Sequence, residues 1–235
     1  MSPNNLPGKK RIELLDAWRG TAVIVMIFWH LAWDLGAVGV FPQERMFGPA
    51  ATAARYFIVF SFVLLSGISA RLSRSNLRRG AKTLLCALGV TGVMYLAGDP
   101  VWFGILHLLG CCMLLYAAVG RWFDRVPAGP AAAVCLALFI AFFNVPTAVR
   151  VSVPWTWMFG FRTEAFYSSD YYPLLPWGFL FFLGSVLGRR AGELPERRCP
   201  GWLCWIGRHA LVIYLVHQPV LVGLTAAFTG RFPWD

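Results

Sequence analysis

The chain has 235 residues, of which 58% are hydrophobic and 14% charged, with a mean hydropathy of +0.60 and a formal net charge of +10. A soluble domain carries about 25% charged residues, so the composition excludes one and describes a polytopic membrane protein. The basic surplus sits in short clusters between apolar runs, which makes it a topology signal and excludes a nucleic-acid-binding face.

In chain order, residues 1–12 read as a cytoplasmic segment, and the first apolar run covers 17–38. That run exceeds the ~7 to 15 residues of a signal-peptide core and contains His30 and Asp34, so it is expected to be a helix of the mature protein. About 20 residues suffice to cross a bilayer. At 100° per residue, Asp16, Arg19, His30 and Asp34 share one stripe ~60° wide, and the rest of the cylinder is apolar. Ionisable groups facing lipid are costly, so the stripe is expected to wall a site.

The second run, about 53–72, ends LLSGISARL and leads into a basic loop, RLSRSNLRRGAK. A third run at 82–97 turns at Gly98-Asp99-Pro100 into a fourth at 101–120, which carries FGILHLLG. The fifth run is 130–145, the sixth 172–188 and the seventh 203–227. Between the fifth and sixth lies a long segment rich in Trp155, Trp157, Phe166, Tyr167, Tyr171 and Tyr172, a composition that fits sugar stacking and an interfacial aromatic belt equally. Pro173 and Pro176 fit the first turn of the sixth helix. Asp170 just before it reads either as that helix's cap or as a chemical group. The expected fold is all-α, a bundle of about seven transmembrane helices forming one domain over 1–235.

Assigning the loops alternately to the two sides puts 16 Lys and Arg on one side and 5 on the other. This places the N-terminus in the cytoplasm and the C-terminus outside. Six acidic residues, Asp34, Glu44, Asp99, Glu164, Asp170 and Asp235, fall toward the outer side. The six cysteines show no metal-ligand spacing, and neither a disulfide nor a metal is expected. His30, His107 and His217 lie at comparable depth, which suits either interhelical hydrogen bonds or an acid/base centre, whereas His209 reads as structural.

The spacing of Asp16, Arg19 and His30 resembles the first-helix signature of the membrane acyltransferase-3 family, and GRHALVIYLVHQPVL is similar to its closing helix. DAWRG with MIFWHLAWDL, then LLSGIS, FGILHLLG and SDYYPLLPWGFLFFLG, resemble bacterial members (DUF1624-like) of the heparan-alpha-glucosaminide N-acetyltransferase catalytic-domain family. These motifs run from Arg11 to about Leu221.

The resemblance implies transfer of an acetyl or other short acyl group from cytosolic acyl-CoA (acetyl-CoA) to an amine or hydroxyl of a sugar or glycan outside, without a metal. On that reading His30 is the general base and Asp34 fixes its tautomer, with His107 and Asp170 completing the catalytic set. Arg19, Arg71, Arg74, Arg78 and Arg208 are expected to bind the coenzyme A phosphates, and Asp99, Tyr171, Trp177 and His217 the acceptor. The partners are then acyl-CoA, a sugar acceptor and the lipid bilayer of a bacterial inner membrane, with a homodimer left open and no nucleic acid. No histidine occurs between Leu31 and Leu106, so the outer-segment histidine of the lysosomal enzyme has no counterpart and direct transfer is expected. Two competing classes are a proton-coupled transporter, with His30, Asp34 and His217 relaying protons, and a scaffold without an active site.

Overall fold

A computed structural model describes residues 12–144, 153–195 and 197–233. Lys9, Lys10, Arg11, Arg150, Asp235 and the side chain of Trp155 lie outside the described residues.

Helix α1 (Glu13–Ala37) starts earlier than the apolar run because Glu13 and Asp16 suit the positive end of a helix dipole. It ends where Gly39 turns left-handed, at φ 83°, and Val40 N–H returns to Leu35 O at 2.9 Å. Helix α2 (Pro49–Leu72) has proline in its first turn, where no backbone partner is lost. Helix α3 (Asn76–Leu96) begins well before residue 82, because Ser75 Oγ accepts the Arg78 N–H at 3.3 Å and caps it. Most of the expected basic loop is therefore helix. Then follow α4 (Ile105–Phe123), α5 (Ala128–Phe142) and α6 (Leu174–Leu187). The last run, expected as one helix, is two: α7 (Gly201–Arg208) and α8 (Ala210–Thr229) meet at a break on His209.

The described residues contain no strand, only an isolated bridge between Phe103 and Tyr171. Helices α1, α2, α4 and α8 are long and apolar enough to cross a membrane, and α5 is a shorter apolar helix. Bare apolar side chains such as Phe28, Leu85, Leu96 and Phe228 cover the outside, as lipid contact requires.

Helix α1 packs on α2, α7 and α8, α2 packs on α6, α6 on α5, and α3 on α4. Small residues make the closest crossings possible. The Leu203 carbonyl seats on Gly20 and the Asp16 carbonyl on Gly207, so a Cβ on either glycine would collide with backbone. The largest core cluster gathers Phe60, Phe139, Phe143 and Tyr172 around Trp177, with ring centroids 5.5, 5.8, 6.1 and 5.6 Å away. Trp177, expected at the acceptor, is thus a packing residue, 7% exposed.

Candidate functional site

A cavity of about 1050 Å³ lies among α1, α2, α3, α4 and the α7–α8 break. Among the described residues, its lining carries Arg19, Arg79, Lys82, Arg197, Arg198 and Arg208 together with Glu13 and Asp16. Arg19 pairs with Asp16 at 2.9 Å and also donates to Ser69 Oγ at 2.8 Å. From the other wall, Arg79 donates to the Ser69 carbonyl at 3.1 Å. Two guanidinium groups thus converge on one neutral serine. Such an arrangement fits an anion, and the guanidinium fork suits phosphate in particular.

Of the five cations expected there, Arg19 and Arg208 line the cavity, and the other three do not. Arg71 is paired with Asp124, whose carboxylate also meets Arg189 at 3.8 Å. Arg74 and Arg78 are exposed. Because α3 starts at Asn76, helical phase turns Arg79 and Lys82 inward and Arg78 outward. Sequence reasoning missed Arg79, Lys82, Arg197 and Arg198; the Ser75 capping signal would have found the first two.

Deeper in, the walls become apolar: Phe62, Leu106, Leu109 and Met113, with Ile105 and Tyr214 also on the lining. Behind Ile105 lies Asp170. It caps a helix, but that helix is α4 and not the one it precedes: its Oδ2 accepts the Ile105 N–H at 3.1 Å. Gly104 leaves the room, since a Cβ there would come within 2.5 Å of the same oxygen. Burial pushes the Asp170 carboxyl up to about 6, against the Ile105 N–H and the charge of Arg55, which pull it down. Tyr172 and Tyr214 are within electrostatic reach of Asp170.

The polar stripe of α1 divides. Its N-terminal half, Asp16 and Arg19, opens on the cavity, while its C-terminal half, His30 and Asp34, faces α8. The His30 ring stands 4.9 Å from that of His217, tilted by 66°. Asp34, 1% exposed, receives the Gln218 amide at 3.0 and 3.2 Å, so the carboxylate meant for the His30 ring is engaged by Gln218 instead. His217 is buried, with Nδ1 2.6 Å from the Tyr214 carbonyl and its ring 5.5 Å from the Tyr214 ring. Tyr214, which sequence reasoning overlooked, therefore separates the cavity from the two histidines.

His107 stands apart from them. Its Nε2 is 3.3 Å from Thr91 Oγ1, and its ring stacks on Phe103 at 5.7 Å. The Thr91 hydroxyl gives its one proton to the Val101 carbonyl at 2.7 Å, so His107 Nε2 donates to Thr91 and ties α4 to α3.

On the opposite face a second hollow, about 420 Å³, is lined by Pro100, Trp102, Trp157, Thr163, Ala165, Phe166 and Tyr167. Trp157 and Phe166 stack at 5.7 Å, and Tyr167 donates to Asp99 at 3.0 Å on the rim. Tyr171 is tied by its hydroxyl to the Trp157 carbonyl at 2.5 Å and lies under the Arg162 guanidinium. The layer between the two hollows is a pair of loops zipped together. Ser169 N–H reaches Pro100 O at 3.1 Å, Trp102 N–H reaches Ser168 Oγ at 3.0 Å and Tyr172 N–H reaches Phe103 O at 2.9 Å. Asp170 belongs to that layer.

Searches of curated proteins and of solved structures found no match. The profile of the catalytic domain of heparan-alpha-glucosaminide N-acetyltransferase, by contrast, matches residues 11–219. A cation-lined cavity entering an apolar helical bundle agrees with that match, and the chain belongs to this family of membrane acetyltransferases.

Proposed function

We propose that the protein transfers an acetyl or other short acyl group from cytosolic acyl-CoA to an amine or hydroxyl of a sugar-containing acceptor on the outer side of a bacterial inner membrane. The carrying observation is the convergence of Arg19 and Arg79 on Ser69 at the mouth of a cavity whose far end is apolar. Coenzyme A has that polarity in the same order, with phosphates at one end and a thioester arm at the other. The phosphates sit among Arg19, Arg79, Lys82 and Arg208, and the arm runs inward past Met113 and Leu109 toward Tyr214.

The acceptor enters from the opposite face, at the hollow walled by Trp157 and Phe166, where aromatic rings suit the apolar face of a sugar. Asp99 and Tyr171 orient it from the rim and floor. His30 is the general base. It removes the acceptor proton as the amine or hydroxyl attacks the thioester carbonyl, the C–S bond breaks and coenzyme A leaves as the thiolate. Transfer is direct. Asp170, at the layer between the two hollows, holds the start of α4 against the reacting centre.

The chain forms one domain with seven passes, N-terminus inside and C-terminus outside, as the 16 against 5 distribution of Lys and Arg supports. Reporter fusions at Pro127 and Thr163 test this and are expected on opposite sides. The function is tested by titrating purified protein with coenzyme A in a calorimeter and following acetyl transfer from acetyl-CoA to glucosamine. Saturable binding with transfer is expected. Absence of both would overturn the reading and favour a transporter or scaffold.

A further inference from the structure

We infer that His30 and His217 act as one proton-accepting pair, in which His217 Nε2 is the atom that takes the proton His30 removes from the acceptor. The inference rests on the acyl-transfer reading above and gives His217 a role different from acceptor binding.

The geometry behind it has four parts. The two rings stand 4.9 Å apart between centroids. The rings meet edge to face at 66° with no hydrogen bond between their nitrogens, so passage of a proton between them requires one ring to turn about its terminal torsion. The tautomer of His217 is fixed by its backbone: Nδ1 lies 2.6 Å from the Tyr214 carbonyl, which only accepts, so Nδ1 carries the proton and Nε2 is the basic nitrogen. That Nε2 is buried and without a hydrogen-bond partner, an arrangement that costs free energy unless the atom is used.

The third part is the carboxylate. Asp34 would be the ordinary partner for His30, but the Gln218 amide occupies it with two contacts, at 3.0 and 3.2 Å. The fourth is the order of contacts from the cavity: Tyr214 lines it, His217 packs on Tyr214, and His30 packs on His217. His217 therefore stands on the donor side of the pair and His30 on the far side.

The proton balance follows. The acceptor N–H or O–H gives its proton to His30, its lone pair forms the new bond to the carbonyl carbon, and the C–S electron pair leaves with the thiolate. His30 then passes a proton to His217 Nε2, which makes His217 an imidazolium held at Nδ1 by the Tyr214 carbonyl. His217, on the cavity side, then gives that proton to the coenzyme A thiolate, so both rings are neutral for the next turnover.

The experiment uses the full chain in nanodiscs, with acetyl-CoA as donor and glucosamine as acceptor, read as transfer rate against pH and as coenzyme A affinity. The variants are His30→Ala, His217→Gln, which keeps an acceptor that takes no proton, His217→Asn, and the double variant His30→Ala/His217→Gln. Each single variant is expected to lose transfer by ~10², the scale of a lost general base, with coenzyme A affinity within twofold of the parent. Two residues acting as a unit are non-additive, so the double variant should be no slower than His30→Ala. The acidic limb of the pH profile should be displaced in His217→Gln. Should that variant not be recovered folded, His217→Asn carries the same test. Full transfer with an unmoved acidic limb in the folded His217 variant, while His30→Ala is inactive, would overturn the pair and leave the acyl-transfer reading standing. Activity retained by His30→Ala would instead strike the reading of His30 as base, and loss of coenzyme A binding by the parent protein the reading as a whole.

Discussion

The N-terminal and C-terminal halves of α1 carry the same kinds of residue on the same face, and the fold puts them to different uses. Asp16 and Arg19 pair with each other and line a cavity shared with Arg79. His30 and Asp34, roughly three to five turns further along the helix, are closed against α8 and see His217 and Gln218. Helical phase says which residues share a face. Which neighbour that face meets at each depth is decided by the other helices, here by where the last run breaks at His209.

The contrast is broken most forcefully by deleting one side chain from each half. His30→Ala should lower transfer by ~10² with coenzyme A affinity unchanged, whereas Arg19→Ala should weaken coenzyme A by ~10-fold, the loss of one charge-assisted hydrogen bond, with little change in the rate at saturation. Transfer rate and calorimetric affinity, measured side by side, check this. Identical behaviour of the two variants would erase the distinction.

A second substitution pair sharpens the cavity side alone. Arg79→Ala should also weaken coenzyme A by ~10-fold, whereas Arg71→Ala should leave it within twofold, because Arg71 is committed to Asp124. This pair also marks where the sequence was legible. The first span, its polar stripe and the turn at Gly98 were all readable, because apolar periodicity and a glycine-proline signal are local properties. The inward cations were not. The segment before residue 82 looked like a basic loop, so no helical phase could be assigned to Arg78 or Arg79, and the pairing of Arg71 with a residue 53 positions away leaves no local trace. Among the residues expected at the acceptor, Trp177 rests on the family resemblance of SDYYPLLPWGFLFFLG, and four rings from three different segments enclose it.

The layer between the two hollows should report pH. Asp170 titrates near 6 in the fold because burial disfavours its charge, against an unfolded value of 3.8. Between those values the folded protein binds more proton than the unfolded chain, so this residue's contribution makes stability fall as pH rises from about 4 to about 6. Thermal unfolding of Asp170→Asn should show a shallower decline than the parent over that window. A smaller effect belongs to the second hollow: Phe166→Ala should raise the KM for glucosamine about threefold, as the loss of one stacking face, and leave coenzyme A affinity unaltered. Steady-state kinetics at saturating acetyl-CoA measures it.

The seating of α7 on Gly20, and of the α1 carbonyl at Asp16 on Gly207, joins the earliest helix of the chain to one of the latest. A ribosome makes α1 well before α7, so Asp16 and Arg19 enter the bilayer with one wall of their surroundings still unsynthesised. Contacts between such distant stretches form late, since their closure entropy must be met before they give anything back. The first helix to be inserted is in this sense the last to be finished, and a chain released before Gly207 would possess Arg19 and Arg79 without the wall that α7 sets against them.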